Sequence, residues 1–351
     1  MTPVTRFVFL GGVALCIGAL AHGQPEPTGP DPTTPAAQSP RLLSWAAIWE
    51  NDGAFVKPFD ASDRHYTNGL RFDIAFDRLL PKTWTDAIPG ADTFEDKSEA
   101  TGLVLAQLIF TSKDIERKAR EPDDRPYAGW FYGGIYYQRS DAGKLDHFEL
   151  DIGVVGGDGS AAESAQKFIH SVIPNQVTPQ GWDDQFSNEL GVNFKYQRRW
   201  KYRDNPESDT RPKFDFDLIP EAGFMLGNVY TNLNGALTLR AGHNLPDDFG
   251  PPRIAQFRDA TGSWTGRWGA YAFARAGGRL VARDIFLDGN TFADSVSVDK
   301  EPIVGEVALG VAGRFKKCEF GWSFTWLTDE FDAQDHGDAF GAVWFTWRTE
   351  F

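Results

Sequence analysis

Cysteine is nearly absent from this sequence, with two in 351 residues. Cys16 lies in an apolar N-terminal stretch, so a chain cleaved after that stretch keeps only Cys318. A single thiol excludes a disulfide framework within the chain and a metal site built from several cysteines. The G-x-S-x-G elbow, the Walker loop and a G-x-G-x-x-G turn between a strand and a helix are also missing, so no motif supports a serine nucleophile or a nucleotide site.

Positive charge is scarce as well. Lys and Arg number 35 against 49 Asp and Glu, which gives a net charge of -14. No basic stripe is available to phosphates, so we expect no nucleic-acid partner. The surplus of carboxylates suits the binding of cations.

The N-terminus has the features of a secretory signal peptide over residues 1–23. Arg6 precedes an uncharged apolar run at 7–20, and small residues allow cleavage after Ala21 or Gly23. Residues 24–40 contain six prolines and almost nothing apolar, which predicts an extended tether. We therefore expect the folded part of the chain to begin near residue 41 and to continue to residue 351.

Long apolar runs of membrane-spanning length are absent from residue 42 onward, and segments with period-2 alternation take their place. Aromatic residues make up 14% of the chain, which has 36 glycines. Strands of ten or more residues with one apolar and one charged face favour a transmembrane β-barrel over a secreted soluble β-sandwich. The fold class expected is all-β, a twelve-stranded antiparallel barrel with strands at 42–50, 66–78, 101–112, 127–140, 143–156, 187–201, 212–226, 228–242, 267–282, 301–314, 317–328 and 339–351.

An even strand number puts both ends of the barrel on the periplasmic side. The polar stretches "END" (50–52), "DRHYTNG" (63–69) and "DDRPYAGW" (123–130) and the insertion 157–186 then gather at the outer rim. Polar loops far apart in sequence that meet on a rigid scaffold are typical of a functional site. Two connections, 79–100 and 243–266, are longer than periplasmic turns usually are.

The insertion predicts a helix over 161–173, with Ser160 and Glu163 in capping-box spacing. Glu163, Gln166 and His170 then share one face. His170 is either a base that deprotonates water or one more interfacial polar residue. A hard cation such as calcium fits the oxygen donors Asn51, Asp52 and Glu189 better than zinc does, while His65 is expected to be structural.

These motifs, together with "AQKFIH" (165–170), "GWDDQFSNE" (181–189) and "ARDIFLDGNTFADSVSVDK" (282–300), resemble the outer-membrane lipid A 3'-O-deacylase family, LpxR. The resemblance covers nearly the whole chain from residue 42. It implies a twelve-stranded barrel in the outer membrane that hydrolyses the ester of the 3'-acyloxyacyl group of lipid A with calcium, at a site between the barrel wall and a loop helix.

The resemblance also implies roles for single residues. His170 matches the proposed base, Gln166 matches a glutamine that orients it, and the pair Asn51 and Asp52 matches residues linked to the metal and to carbonyl stabilisation. The resemblance further suggests substrate contacts for three positions: Thr67, Asn68 and Arg125. Arg125 holds a phosphate or carboxylate, or else ties a loop through ion pairs, and Glu189 is a second calcium ligand or a carboxylate that faces water.

The sequence thus predicts a calcium-dependent ester hydrolase that acts on lipid A or lipopolysaccharide as a monomer in the outer membrane. One alternative is a phospholipase or another lipid acyl hydrolase that uses the same groups. A second alternative is a barrel without catalysis, such as a porin.

Overall fold

Alternation of apolar and polar side chains builds a closed barrel, described from a computed structural model that covers residues 39–53, 64–172, 178–203, 214–264 and 266–349. The predicted signal peptide and residues 24–38 of the predicted tether lie outside the described residues. The strands are β1 Leu42–Asn51, β2 His65–Phe76, β3 Ser98–Thr111, β4 Ala128–Ser140, β5 Lys144–Val155, β6 Glu189–Trp200, β7 Phe214–Gly227, β8 Tyr230–His243, β9 Trp268–Asp284, β10 Ile303–Phe315, β11 Cys318–Leu327 and β12 Ala339–Arg348.

Each strand pairs antiparallel with its neighbour in sequence, and β1 pairs with β12 to close the barrel. The predicted twelve strands are confirmed, and each begins within three residues of its predicted start. The barrel lies within the compact unit Pro40–Phe351. Its two ends meet at one rim, where the backbone N–H of Thr349 donates to the carbonyl of Leu43. That rim is the periplasmic one for an even-stranded barrel.

The two faces of the wall differ in chemistry as the alternation predicted. Phe72, Leu105 and Phe131 point outward and are exposed, whereas Arg71 and Glu149 point into the lumen and are fully buried. Strand residues alternate between the faces, so the same strands supply an apolar belt outside and a charged interior.

Among the described residues, three helices lie in the connections: α1 Lys82–Asp86, α2 Ala162–Val172 and α3 Ile285–Asp288. Short 3-10 turns occupy Ala91–Thr93 and Gly181–Asp184. In the described ranges no helix combines the length and apolarity needed to cross a membrane. The bounds of α2 agree with the predicted helix. Ser160 does not form the predicted capping box, because its hydroxyl donates to the carbonyl of Gly156.

The long connection between β2 and β3 contains α1 and the turn Ala91–Thr93, and it packs at the periplasmic rim. Arg139 donates to the carbonyl of Pro89 at 2.5 Å and lies over the ring of Phe94. These contacts anchor the long connection to β4 at the periplasmic rim.

The long connection between β8 and β9 does not form a periplasmic turn, which corrects the expectation from the sequence. Residues 244–264, which we call the luminal segment, fold back into the barrel. Arg258 Nη2 lies 2.7 Å from Asp73 Oδ1 on β2, and the N–H of Ala260 donates to Gln138 on β4 at 2.8 Å. Phe257 is completely buried. The segment therefore fills the lumen, since it contacts strands from different parts of the wall.

Candidate active site

The end of β1 places polar side chains on the lipid-facing side of the wall. Trp45 is exposed, and Asn51 has the same phase along the strand. Asn51 pairs in register with Asn68 of β2, and its Nδ2 lies 3.5 Å from Asn68 Oδ1 and 2.8 Å from the carbonyl oxygen of Thr67. The indole of Trp49 donates to the same Asn68 oxygen at 2.7 Å. The two amides therefore form a fixed and buried polar pair.

Asp52 follows directly and is also buried. Its Oδ2 accepts a 2.7 Å hydrogen bond from the backbone N–H of Arg64, while Asn51 Oδ1 accepts one of 2.7 Å from the N–H of Gly53. An amide oxygen and a carboxylate are thus held on one short turn. Both are oxygen donors of the kind that calcium prefers.

A bulge in β2 places Thr67 beside this turn. The register between β2 and β3 shifts between Tyr66 and Asn68, which leaves Thr67 as the extra residue. Its hydroxyl lies 2.7 Å from the hydroxyl of Thr111, and its carbonyl bonds Asn51. The structure therefore brings Thr67 and Asn68 together with Asn51.

Helix α2 lies against the outer face of β3 and β4 at the outer rim. Gln107 of β3 donates to the carbonyl of Ser160 at 2.7 Å. A Cβ at Gly129 of β4 would lie 2.3 Å from the Cβ of Ala162, so the absence of a side chain there lets the helix approach the wall. Ala162 also packs with Ile109, which pairs in register with Asn68. The start of the helix is thus adjacent to the Asn51 site.

Gln166 is held in one orientation on α2. Its Oε1 accepts a 2.9 Å hydrogen bond from the indole of Trp182, and both side chains are buried. The ring of Trp182 packs edge-on against Tyr127 at 5.1 Å between centroids. Gln166 Nε2 is buried and has no hydrogen-bond partner in the described part of the chain. A ligand oxygen would satisfy this donor, because an unmet buried N–H is costly.

His170 lies one turn after Gln166 on the same side of α2 and is half-buried. A partly exposed imidazole can exchange protons with bound water and can act as a base near neutral pH. The helix thus presents a possible base and a fixed amide donor on the lipid-facing side of the wall.

Glu189 is not part of this arrangement, which corrects its predicted place beside Asn51 and Asp52. It begins β6, five strands round the wall from β1, or roughly 24 Å at the usual strand spacing. Its neighbour Leu190 points outward, so Glu189 faces the lumen. Its carboxylate accepts bonds from the side chains of Asn228 and Asn290 and from the backbone of Thr291 and Phe292.

Asn51 and Asp52 fit a calcium ion only in part, since calcium takes six to eight oxygen ligands. Among the described residues no three His, Cys, Asp or Glu side chains lie together in a way that could hold a metal. Any ion at this turn would therefore need oxygens from backbone, water or substrate.

The contacts of Arg125 fit the second of the two roles considered from the sequence, which is to tie a loop through ion pairs. The guanidinium is buried, lies 3.1 Å from the carboxylate of Glu330 and stands over the rings of Phe110 and Phe331. Burial by itself would lower the pKa of Arg125, but Glu330 and the other carboxylates near it raise it above the ordinary value. The same burial disfavours the charged form of Glu330, yet the guanidinium beside it holds the pKa of Glu330 below its usual range.

His65 makes structural contacts. Its Nδ1 lies 2.6 Å from Asp338 and its Nε2 lies 3.3 Å from Asp124, so the ring joins two outer loops. Asp124 is partly buried, which opposes its ionisation, but His65 and two backbone N–H groups lower its pKa.

Sequence reasoning missed the role of Trp182. The signal was present, since "GWDD" follows the helix within the same insertion, but nothing in the spacing showed that the indole would reach Gln166. The luminal segment was missed as well, although its composition includes apolar residues that a solvent-exposed turn would not need.

A closed barrel with an even number of antiparallel strands, an apolar outer belt and a charged interior defines an integral protein of the bacterial outer membrane. Within that class, the family model of outer membrane protein LpxR matches residues 14–349. The chain belongs to the LpxR family, and its place is the outer membrane.

The solved structure of LpxR from Salmonella typhimurium is similar to this barrel, with a TM-score of 0.69 and 19% identity over 87% of this chain and 99% of that one. At that identity the likeness supports the fold alone. The β domain of the Bordetella autotransporter BrkA has a TM-score of 0.41 and 11% identity, and covers 87% of this chain and 98% of its own. Such a likeness has no bearing on function. A search of curated proteins finds no match.

Proposed function

We propose that this protein hydrolyses the ester that joins the 3'-linked acyloxyacyl group to lipid A in the outer leaflet. The observation that carries the proposal is the position of α2, which places Gln166 and His170 on the lipid-facing side of the wall at the outer rim. A bilayer lipid reaches that side without entering the lumen. Family membership makes lipid A deacylation the reaction to test first.

In the proposed reaction His170 accepts a proton from water, which attacks the ester carbonyl and forms a tetrahedral intermediate. The Gln166 amide, held by Trp182, donates from Nε2 to an oxygen of the reacting ester or of the water. As the C–O bond breaks, His170 returns the proton to the departing sugar oxygen, which becomes a hydroxyl, so the step releases the free acyloxyacyl acid and needs no acyl-enzyme.

Calcium remains part of the proposal through Asn51 and Asp52, whose oxygens would hold it. A bound divalent cation would supply a positive charge that stabilises the oxyanion and pairs with lipid phosphates. Thr67 and Asn68 line the same turn and are proposed to contact the substrate. Glu189 and Arg125 are left out of the mechanism, because their charged groups are bonded elsewhere.

The alternative of a non-catalytic porin is disfavoured by the luminal segment, since Arg253 and Arg258 anchor that segment across the lumen to Glu306 and Asp73. A lipid acyl hydrolase acting on glycerophospholipids has no specific contact in its favour and is best treated as an outcome of the assay.

The test uses purified barrel in mixed micelles with lipid A or a glycerophospholipid, analysed by mass spectrometry with calcium or with a chelator. We expect loss of the 3'-acyloxyacyl mass from lipid A with the wild-type chain and calcium, and no loss with His170→Ala. His243→Ala is a matched control, because this half-buried histidine stacks on Trp268 at the periplasmic rim. Intact lipid A with every folded variant would refute the proposal, and cleavage of glycerophospholipid alone would replace it with phospholipase activity.

A further inference from the structure

Three residues of the "END" and "YTNG" motifs have no part in the proposed reaction. Glu50, Tyr66 and Gly69 stand next to Asn51, Thr67 and Asn68 in sequence, but Glu50 and Tyr66 line a cavity inside the barrel. We propose that Glu50 is a positioning residue that fixes the outer-face site from within the lumen. The inference deepens the proposed function and rests on it for its kinetic consequence.

The Glu50 carboxylate bonds two other parts of the chain at once. Its Oε2 accepts a 2.7 Å hydrogen bond from the hydroxyl of Tyr66 on β2, and its Oε1 accepts one of 3.1 Å from the backbone N–H of Ile254 at the tip of the luminal segment. Glu50 is 3% exposed and Ile254 is buried, while Tyr66 is partly buried. The carboxylate thus joins β1, β2 and the luminal segment at a single point.

Gly69 makes room for this junction. It pairs in register with Glu50, and a Cβ built on it would lie 2.1 Å from the hydroxyl oxygen of Tyr66 and 2.9 Å from Cδ1 of Ile254. Any side chain would push both groups away from the carboxylate. Gly69 is therefore required for steric reasons. We call Glu50, Tyr66, Gly69 and Ile254 the inner clamp.

In β1 and in β2, the residue that follows the clamp residue belongs to the outer-face site. Asn51 follows Glu50, and Thr67 follows Tyr66, with side chains directed to the other face of the wall. A shift of either strand end would displace the pair Asn51 and Asn68 relative to α2. Displacements of about 1 Å can reduce catalysis by about a hundredfold, so support of this kind affects turnover.

The contacts of Glu50 differ from those of the ion-paired luminal carboxylates. Glu221, for example, is ion-paired with Arg199 and Arg275. Glu50 has no cation within ion-pair distance in the described ranges, and its bonds come from a neutral hydroxyl and a backbone N–H. One directional bond to the neighbouring strand and one to the luminal segment suit positioning, while the charge of Arg253, which pairs with Glu306, acts on Glu50 from a longer distance.

The test is Tyr66→Phe, which removes one hydroxyl and keeps the ring. Tyr132→Phe is the matched control, because Tyr132 lines the same cavity of about 120 Å3 and its hydroxyl makes no hydrogen bond to the described residues. We expect Tyr66→Phe to lower kcat per folded barrel about tenfold with little change in KM, and Tyr132→Phe to leave kcat unchanged. Glu50→Gln keeps one acceptor oxygen and should have a similar or smaller effect than Glu50→Ala.

A second readout does not depend on activity. The indole N–H of Trp49 bonds Asn68 on the outer face, so its NMR resonance in 15N-tryptophan-labelled barrel, assigned with Trp49→Phe, reports the geometry of the site. We expect Tyr66→Phe to shift or broaden this resonance and Tyr132→Phe to leave it in place. If the two variants give the same Trp49 resonance as wild type, the clamp does not position the site. A wild-type chain without deacylase activity would refute the proposed function, and the resonance would still decide the clamp.

Discussion

The two faces of the barrel wall differ in how their polar groups are bonded. Alternate residues of the same strands supply both faces. On the inner face of β2, Arg71 forms a two-pronged pair with Glu149 at 2.8 and 2.9 Å, and both groups are fully buried. On the outer face of β2, Asn68 makes neutral hydrogen bonds to Trp49 and Asn51. Charge is concentrated where it is paired, and the candidate site is built mainly from amides and hydroxyls.

The difference has a physical reason. A buried charge is tolerated when a partner neutralises it, and loss of one partner is strongly destabilising. The lumen therefore ties many strands together but leaves few groups available for chemistry. Among the described residues, Asn51, Thr67 and Asn68 on the outer face are held by neutral hydrogen bonds. Changes at the candidate site on the outer face should affect turnover, and changes at the ion pairs of the lumen should affect stability. The inner clamp is the exception, because Glu50 and Tyr66 support the outer site from within the lumen.

The largest expected effect is on turnover, from His170→Ala. Loss of a general base reduces kcat/KM by about 10²–10⁴-fold. The thermal unfolding midpoint should stay close to that of wild type, because His170 is half-buried on a helix outside the wall. Initial rates on lipid A and the temperature at which the folded band is lost on a gel give both values. A variant that loses stability and activity in parallel would remove the distinction between the two faces.

Arg125→Met should have the largest effect on stability. The change leaves Glu330 buried with Arg279 as its remaining cation, and breaking a buried pair in this way costs about 3–5 kcal/mol, with the lower end expected here. Activity per folded barrel should be retained. Urea unfolding in lipid vesicles measures the loss.

The control for that variant is the double change Arg125→Met with Glu330→Gln. Removal of the unpaired charge should restore part of the stability. If Arg125→Met instead raises KM for lipid A in a fully stable barrel, the guanidinium contacts the substrate, as the other reading of the sequence had it.

The barrel was predictable from the sequence because a strand in a membrane wall must alternate along its whole length. Leu70, Phe72 and Ile74 face lipid only if Arg71 and Asp73 face inward, and this pattern recurs along many segments of the chain. The grouping of Asn51, Thr67 and Asn68 followed from strand order alone, since the ends of neighbouring antiparallel strands meet.

Contacts between distant segments were beyond that reasoning. Glu189 has a sequence pattern that suits a ligand, but its place on β6 and its inward phase put it away from Asp52. The length of the luminal segment was evident from the sequence, but its position was not, because alternation describes strands and carries no information on where a connection of irregular backbone will pack. Side-chain partners such as Trp182 for Gln166 depend on that packing.

Trp182→Phe should have an intermediate effect, on turnover. The change removes the N–H that orients Gln166 and leaves a buried amide oxygen without its donor, at a cost of about 1–3 kcal/mol. We expect kcat to fall about tenfold. Trp264→Phe is the matched control, because that buried indole donates to the carbonyl of Lys316 at 2.8 Å, far from α2. A similar stability loss in both variants, with lower kcat only in Trp182→Phe, would separate the orientation of Gln166 from simple packing.

The smallest expected effect is the acid sensitivity that Asp124 gives to the outer loops. Burial opposes its ionisation, but His65 and the backbone N–H groups of Lys113 and Arg125 outweigh burial and lower its pKa. A carboxylate with a lowered pKa stabilises the folded state above its unfolded pKa, and this contribution disappears as the pH falls through the folded value. The stability difference between wild type and Asp124→Asn, followed by thermal unfolding from pH 5 to pH 3, should therefore shrink below about pH 4. It should stay below the loss caused by Arg125→Met, because Asp124 is less buried than Glu330. A difference that does not change with pH would mean that the hydrogen-bond geometry of Asp124, and not its charge, joins the loops.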